Sequence, residues 1–190
     1  MKTGDLLLIT KSVAVEGTAI IAREMEHKLL SIGFSNADVC SCKQFLDHIS
    51  IMEEARIARD IGGVTAMHDV TEGGLATAVT ELSIAGRHHI RIDMNRIPIF
   101  PQTQRICDAF AISPLGLIGS GSLLICCNPN TKDDILTGIR NAGIDATCIG
   151  EVLENGEGVV AMDGRKPVAW PEFKVDELAR LFKEVFSDKL

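Results

Sequence analysis

Hydrophobic residues along this chain follow two different spacings, and the changes between them predict alternating strands and helices. Residues 6–10 form a short apolar run, which predicts the first strand. Residues 18–30 and 45–61 carry apolar side chains at helical spacing, and each stretch is followed within three residues by a glycine. The first third of the chain is therefore predicted to contain one strand and two helices.

The rest of the chain alternates strands and helices more regularly. The apolar patterns predict strands at residues 63–67, 88–94, 122–127, 146–153 and 158–162, and helices at residues 74–86, 103–110, 131–143 and 175–186. Residues 154–157 contain an Asn-Gly pair, a strong short-range signal of a β-hairpin, so the last two strands are expected to pair. This order predicts an α+β fold with helices packed on a mixed β-sheet, close to a ferredoxin-like split βαβ core with additions.

The length of 190 residues fits one domain. Within it, residues 1–62 are expected to form an N-terminal strand plus helices, and residues 63–190 the βα core. Hydrophobic residues make up 46% and charged residues 24%, which excludes a disordered chain. No stretch approaches the roughly 20 apolar residues of a membrane-spanning helix. The first residues also lack the pattern of an export signal, so the chain is expected to be cytoplasmic.

The net charge of −7 argues against a nucleic-acid partner, because such a surface needs clustered basic residues and the 19 Lys and Arg are scattered. Any bound anion is therefore expected to be small and locally held. Six cysteines are present, without the spacing of a zinc site. Cys40 and Cys42 lie in a polar stretch and are the candidates for exposed, reactive thiols, while the others are expected in the core.

The most informative segment is His68-Asp69-Val70-Thr71-Glu72-Gly73-Gly74-Leu75, between a predicted strand and a predicted helix. The free amides and positive dipole end of a helix N-terminus favour an anion, and glycines let a phosphate approach the backbone. A tight turn capped by Thr71 or Asp69 is the alternative. A second small-residue loop, Gly119-Ser120-Gly121, offers backbone amides in the same way, or is an ordinary connection. Both alternatives stay open.

Four segments together resemble the C-terminal domain of the aminoimidazole ribonucleotide (AIR) synthetase, or PurM-like, superfamily. They are residues 4–11 with 16–19, residues 67–75, residues 119–125 and residues 149–152. Within the superfamily, the pattern is most similar to the hydrogenase-maturation (HypE) branch and the AIR-synthase-related proteins. The resemblance implies a PurM C-terminal-domain-like fold, ATP and Mg²⁺ as cofactors, and a small phosphorylated ligand or nucleotide.

The resemblance also implies roles for individual residues. Gly73, Gly74 and the amide of Leu75 would cradle phosphate, with Thr71 offering its hydroxyl. Gly119, Ser120 and Gly121 would form a second phosphate- or nucleotide-binding loop. His68 would hydrogen-bond phosphate or transfer a proton, and Asp69 would orient the loop; these two are the candidate catalytic residues. No dedicated metal site is predicted, but Asp69 and Glu72 would be able to contact the Mg²⁺ that accompanies a bound phosphate.

Two further residue sets are expected to stay outside that pocket. Glu81 lies more than two helical turns beyond Thr71, about 12–15 Å away, and is expected to cap or pair locally. His88 and His89 begin an alternating strand, so their side chains point to opposite faces and do not share a metal.

Three departures from the superfamily limit the functional prediction. The chain is expected to lack both the acidic, ATP-binding N-terminal domain and the terminal cysteine that carries the carbamoyl group in the HypE branch, and Glu72 places a carboxylate in the motif. The chain is expected to be a substrate- and phosphate-binding domain of a HypE-like, ATP-dependent protein, incomplete as an enzyme by itself. The alternative is a non-catalytic binding or regulatory module. An N-terminal-domain or maturation-type protein partner and a homodimer both remain open.

Overall fold

The structure is a computed structural model, and it describes residues 1–187. The strands are β1 (Leu6–Thr10), β2 (Val64–Asp69), β3 (His88–Asp93), β4 (Leu123–Cys127), β5 (Ala146–Asn155), β6 (Val159–Asp163) and β7 (Lys166–Val168). The helices are α1 (Val15–Glu24), α2 (Glu26–Ser31), α3 (Asn36–Lys43), α4 (Met52–Ile61), α5 (Gly74–Gly86), α6 (Pro101–Phe110), α7 (Lys132–Asn141) and α8 (Glu177–Ser187). Short 3-10 helices span Gln44–His48 and Met94–Arg96. The C-terminal end of the chain, where the sequence analysis noted that a cysteine is missing, lies partly outside these residues.

One mixed sheet contains all seven strands, in the order β2-β4-β1-β5-β3-β6-β7. Strand β1 lies between β4 and β5 and is antiparallel to both, whereas β3 and β6 are parallel. Helices cover the sheet, so the predicted α+β fold with a mixed sheet is confirmed. Central strands are buried on both faces and therefore need continuous apolar runs, which is what β1 and β4 supply.

Alternate residues of β1 enter different hydrophobic cores. Leu7 and Ile9 pack with Leu75 and Val79 of α5 on one face of the sheet. Leu8 faces the other side, where residues of α4 and α7 pack. A third core joins α1, α2, α3, α6 and α8 beside the sheet. The first of these cores holds the start of α5 against the sheet.

The helices of the first 62 residues differ from their predicted bounds. The stretch at 18–30 forms two helices, because Met25 leaves the helical conformation with φ −120° and ψ 24°. The stretch at 45–61 includes a 3-10 helix, and α4 begins only at Met52. Apolar spacing continues across both breaks, so periodicity by itself did not reveal them.

Helix α3 was not predicted, although its start carries a recognisable signal. Ser35 accepts a hydrogen bond from the Asp38 N–H at 3.0 Å, and Asp38 accepts one from the Ser35 N–H at 3.2 Å. This capping box satisfies two donors at the helix start. The Ser35 N–H also lowers the pKa of the Asp38 carboxyl. The Ser-x-x-Asp spacing would have predicted the helix start in this polar stretch.

The predicted hairpin between the last two strands was wrong. Strand β3 lies between β5 and β6, and it pairs antiparallel with β5 and parallel with β6. The apolar side chains of Ile90 and Ile92 are fully buried there, which favours a central position for β3. The actual hairpin joins β6 to β7 through Gly164 and Arg165, with Asp163 opposite Lys166. Strand β7 was not predicted, because its three residues are all exposed.

A buried ion pair joins the end of β1 to α4. Lys11 donates hydrogen bonds from Nζ to the carbonyls of Ser50 and Gly121, both at 2.8 Å, and to Oε1 of Glu54. Glu54 is fully buried, and Thr10 donates to the same Oε1 at 3.1 Å. The second carboxylate oxygen, Oε2, has no partner among the described residues. A carboxylate in this position depends on the Lys11 charge.

No helix within residues 1–187 is long and apolar enough to cross a membrane.

Lys11→Met is expected to lower the free energy of unfolding by about 3–5 kcal/mol, because it leaves the buried Glu54 carboxylate without a counter-charge. The double variant Lys11→Met with Glu54→Leu is expected to recover most of this loss, since it removes both charges. Urea denaturation measures both. Arg59→Met is the control, because the Arg59–Asp60 pair is exposed and its loss costs at most about 1 kcal/mol. An equally small loss for Lys11→Met would contradict the expectation.

Candidate functional site

The predicted anion-binding segment lies where β2 ends and α5 begins. The Val70 N–H donates to the Ser122 carbonyl at 3.0 Å, which continues the β2–β4 pairing past Asp69. Gly73 and Gly74 then adopt left-handed φ values of 75° and 61°, which turn the chain into the helix. A Cβ on Gly74 would lie 2.5 Å from the Leu115 carbonyl oxygen. The turn and this close approach therefore both require glycine.

Backbone donors at the start of α5 already have acceptors within the protein. Gly73 donates its N–H to Oδ2 of Asp176 at 2.7 Å, and Gly74 donates to the Thr71 carbonyl at 3.1 Å. Ala76 donates to the Leu115 carbonyl at 2.9 Å. The Asp176 carboxylate thus occupies one of the positions at which the sequence predicts a ligand anion.

Asp176 belongs to a segment that crosses the start of α5. Trp170 donates its indole N–H to the Ala76 carbonyl at 3.1 Å, and Phe173 packs on Gly116. Oδ1 of Asp176 also accepts the Leu178 N–H at 2.8 Å, so one carboxylate bridges the N-termini of two helices. The sequence analysis missed Asp176 as a site residue. An aspartate directly before an apolar helical pattern is an N-cap signal, but nothing local indicates a second helix.

The second predicted loop contacts the first. Gly119 donates its N–H to the Thr71 carbonyl at 3.3 Å, and a Cβ on Gly119 would lie 2.8 Å from Cγ1 of Val70. Ser120 lies next to this contact and is half-buried. The carbonyl of Gly121 points away to Lys11. The structure therefore brings Thr71, Gly73, Gly74 and Gly119 together, with Ser120 beside them, while Leu75 is buried in the core.

His68 is held by contacts within the chain. Its Nε2 lies 3.3 Å from Oε2 of Glu81, and its Nδ1 lies 2.5 Å from the Asp69 carbonyl oxygen. Either neutral tautomer donates to one of these oxygens, and only the imidazolium donates to both. The pair ties β2 to α5. Glu81 was expected to cap or pair locally and to stay outside the pocket, which was wrong, because its partner is His68 of the preceding strand.

Carboxylates near the motif do not form a preformed metal site. The side chain of Asp69 is 61% exposed, and Glu72 is exposed as well. Within residues 1–187, no group of three or more His, Cys, Asp and Glu side chains is arranged to hold a metal. His88 is engaged elsewhere, with its Nδ1 2.7 Å from the Gly86 carbonyl oxygen. A metal here would need oxygen ligands from a bound phosphate as well.

Of the six cysteines, one is exposed, four are buried, and Cys148 is half-buried and so lies only partly in the core, where it was expected. Cys40 is exposed on α3, but Cys42 is buried, so the prediction of two exposed thiols was wrong for Cys42. Burial raises the pKa of the Cys42 thiol to about 11. Two residues apart on a helix, the side chains point in different directions, which the polar sequence around them did not reveal. Burial also raises the pKa of Cys107 and of Cys126 to about 12.

Comparison with known proteins identifies the family. Residues 2–163 match the family described as AIR synthase related protein, C-terminal domain. The chain belongs to this family.

Several of the relatives are HypE proteins. The chain is 28% identical to the carbamoyl dehydratase HypE of Cupriavidus necator, over 89% of this chain and 47% of that protein. The crystal structure of Escherichia coli HypE is 25% identical, with a TM-score of 0.72, over 95% of this chain and 53% of that one. The chain therefore spans about half the length of these relatives.

A HypE structure in complex with ATP shares the fold. It is 20% identical to this chain, with a TM-score of 0.67, and the match covers 93% of this chain and 53% of that chain. At that identity, the likeness concerns the fold alone. It confirms the PurM-like architecture.

Alkylation of the folded protein is expected to modify Cys40 and to leave Cys42 unmodified until the protein unfolds. Cys42 is buried and its pKa is raised, so little of its reactive thiolate form is present or accessible. Peptide mass spectrometry after brief iodoacetamide treatment, with and without urea, measures both sites. Cys40→Ser is the control, and it should remove the modification in this segment. Rapid labelling of Cys42 in the folded Cys40→Ser protein would contradict the structure.

Gly74→Ala is expected to destabilise the protein more than Gly164→Ala does. The two glycines have nearly the same φ, 61° and 59°, but only the Cβ at Gly74 would meet backbone oxygens. Left-handed strain of about 1–2 kcal/mol is common to both, and overpacking adds about 1–3 kcal/mol at Gly74. Urea denaturation measures the difference in the free energy of unfolding. Equal losses in the two variants would contradict the expectation, because they would mean that the loop at Leu115 moves away from the new Cβ at no cost.

Proposed function

We propose that this chain is the substrate- and phosphate-binding domain of a HypE-like, ATP-dependent protein. Its membership of the AIR synthase related family supports the proposal. So does its relation to proteins that are named carbamoyl dehydratases. The activity of a whole HypE is a proposal here, because the chain spans about half of those relatives. The ATP bound in one HypE structure and the HypE–HypF complex suggest a nucleotide ligand and a maturation-type protein partner.

The observation that carries the phosphate proposal is the meeting of the two predicted loops. The Gly119 N–H to Thr71 carbonyl contact brings the hydroxyl-bearing residues Thr71 and Ser120 to one end of the sheet. Both are half-buried, and among residues 1–187 neither hydroxyl has a hydrogen-bond partner. Hydroxyl groups of this kind hydrogen-bond phosphate oxygens. The positive end of α5 adds a favourable field for an anion.

Charge decides how a phosphate binds at this place. Asp69, Glu72 and Asp176 all bring carboxylates to the turn, and like charges repel a free phosphate. Mg²⁺ would offset that repulsion by sharing oxygens of the phosphate with Asp69 or Glu72. We therefore propose that the ligand binds as a magnesium complex, with the hydroxyls of Thr71 and Ser120 and the Gly73 N–H, released from Asp176, on the phosphate side. Gly74 and Gly119 keep their N–H bonds to the Thr71 carbonyl and shape the two loops. His68, already paired with Glu81, would position the loop through Asp69.

A second candidate function is a binding or regulatory module without ATP chemistry. The hydrogen bond from Gly73 to Asp176 favours it, because the protein's own carboxylate fills one anion position. A module of this kind would use the α5 end for folding and a different surface for its partner. The two functions differ in whether the place of Asp176 can be taken by phosphate.

Asp176→Asn is expected to raise the affinity for phosphate and for Mg-ATP about tenfold, because it removes a negative charge and weakens the competing acceptor for the Gly73 N–H. Thr71→Val is expected to lower that affinity, since it removes a hydroxyl donor. Isothermal titration with phosphate, ADP and ATP, with and without Mg²⁺, measures these effects at constant ionic strength.

Asp93→Asn is the matched control, because Asp93 caps a 3-10 helix remote from the site through the Asn95 N–H at 3.1 Å. It is expected to leave the affinity unchanged. Circular dichroism confirms that each variant is folded. Absence of phosphate and nucleotide binding in both the wild-type chain and a folded Asp176→Asn protein would overturn the phosphate proposal and leave the module.

A further inference from the structure

A cavity outside the two predicted phosphate loops lies beside the start of α1. Its volume is about 320 Å³, and none of its lining residues comes from residues 67–75 or 119–121. The 3-10 helix Gln44–His48 forms one wall, the loop before α6 a second, and residues 143–145 after α7 a third. Ligand pockets measure about 300–1,000 Å³, so this cavity has room for a molecule of one or two rings.

One half of the cavity is apolar and aromatic. The ring centroids of Phe45 and Phe100 lie 4.9 Å apart, and the two ring planes meet at 46°. Both side chains are half-buried, so part of each ring stays open toward the cavity. Val15 and Ile144 complete this half. Open aromatic surface of this kind binds the flat face of another ring system.

The other half of the cavity carries hydrogen-bonding side chains that are not used elsewhere. Ser41, Gln44, His48 and Asp145 all line it. None of these four side chains has a hydrogen-bond or ion-pair partner among residues 1–187. The Asp145 carboxylate only accepts hydrogen bonds, whereas the Gln44 carboxamide both donates and accepts. A ligand that fits this half therefore offers at least one donor.

Lys11 also lines the cavity, but its charge is already compensated. Its ammonium group donates to the carbonyls of Ser50 and Gly121 and to Glu54, and these three hydrogen bonds use all three of its N–H groups. With histidine neutral, the uncompensated charge of the lining is the carboxylate of Asp145. A phosphate is therefore repelled here, and a ligand with an amino group is favoured.

The backbone behind the cavity is held in an unusual conformation. Lys11 and Ala14 have φ values of 54° and 58°, which residues with a Cβ rarely adopt. The other two non-glycine residues of this kind in the described chain, Arg87 and Ala111, end helices, where a left-handed residue is usual. The Lys11 N–H donates to the Asp145 carbonyl at 2.7 Å, which fixes Asp145 against the end of β1. Such conformations concentrate at ligand sites.

We propose that this cavity binds an amino-substituted heteroaromatic base, of the kind found in adenosine and cytidine. The ring lies on Phe45 and Phe100, and the exocyclic amino group donates to the Asp145 carboxylate. Gln44 donates an N–H to the adjacent ring nitrogen. The inference rests on the cavity and is independent of the proposed phosphate function.

NMR titration of the isotope-labelled chain with adenosine and with cytidine tests this inference, because neither nucleoside carries a phosphate. Shifts are expected at the backbone amides of Phe45, Phe100 and Asp145. Purine riboside, which differs from adenosine only in lacking the amino group, is expected to bind about tenfold more weakly, since it leaves Asp145 without its donor. Shifts confined to residues 71–75 and 119–121 would place the nucleoside at the phosphate loops and overturn the proposal.

Two variants separate the polar contact from the stacking contact. Asp145→Ala is expected to weaken adenosine binding about tenfold and to leave the affinity for purine riboside nearly unchanged, a difference that damage to the fold does not produce. Phe45→Leu is expected to weaken the binding of both nucleosides at least about fivefold, because it removes an aromatic face and keeps an apolar side chain.

Asp134→Ala is the matched control for the loss of a carboxylate. Asp134 is exposed in the first turn of α7, the helix that leads to Asp145, and it does not line the cavity. It is expected to bind adenosine as the wild type does, and circular dichroism shows whether each variant is folded. Absence of binding of both adenosine and cytidine to the wild-type chain, or an equal loss of adenosine and purine riboside binding in Asp145→Ala, would overturn the proposal.

Discussion

The amide groups at the starts of α1 and α5 need acceptors, and the loop at residues 115–121 supplies them. The Ala76 N–H reaches the Leu115 carbonyl, and the Gly17 N–H reaches the Ile118 carbonyl. In return, the Gly119 N–H reaches the Thr71 carbonyl, so a single loop fastens two helix ends to one end of the sheet. Unpaired amides buried at these places would cost free energy.

This constraint explains why small residues gather at the site. A Cβ at Gly17 would lie 2.9 Å from the Ile118 oxygen, and one at Gly74 would lie 2.5 Å from the Leu115 oxygen. The glycines whose spacing resembles a phosphate-binding loop are thus also needed because they let two backbone segments pack closely. What distinguishes a ligand site from a packed turn is the polar groups left over, and here these are the hydroxyls of Thr71 and Ser120. Asp176 accepts the Gly73 N–H at this end of α5, so under the proposed function ligand binding and attachment of the C-terminal helix would be linked through that amide.

Several elements could be predicted because their signals are local. The apolar run of β1 and the helical spacing of apolar residues in α5 both lie within a few consecutive residues. Both elements were found where expected, with α5 between Gly74 and Gly86. The breaks at Met25 and before Met52 were missed, since apolar periodicity continues through them. The hairpin at residues 154–157 was wrong for a different reason. An Asn-Gly pair favours a tight turn, but whether the flanking strands become neighbours depends on β3, which competes for the same edge of β5.

The sequence by itself determined the family, the α+β class and the positions of the two glycine-containing loops, because these depend on residue types in consecutive order. Only the tertiary structure decided which groups meet across the chain. Asp176 lies 103 positions from Gly73, and Lys11 lies 43 from Glu54. The burial of Cys42, the His68–Glu81 pair and the order of the strands were decided in the same way. Such partners are chosen by the packing of the whole core, and no short window of sequence contains that information.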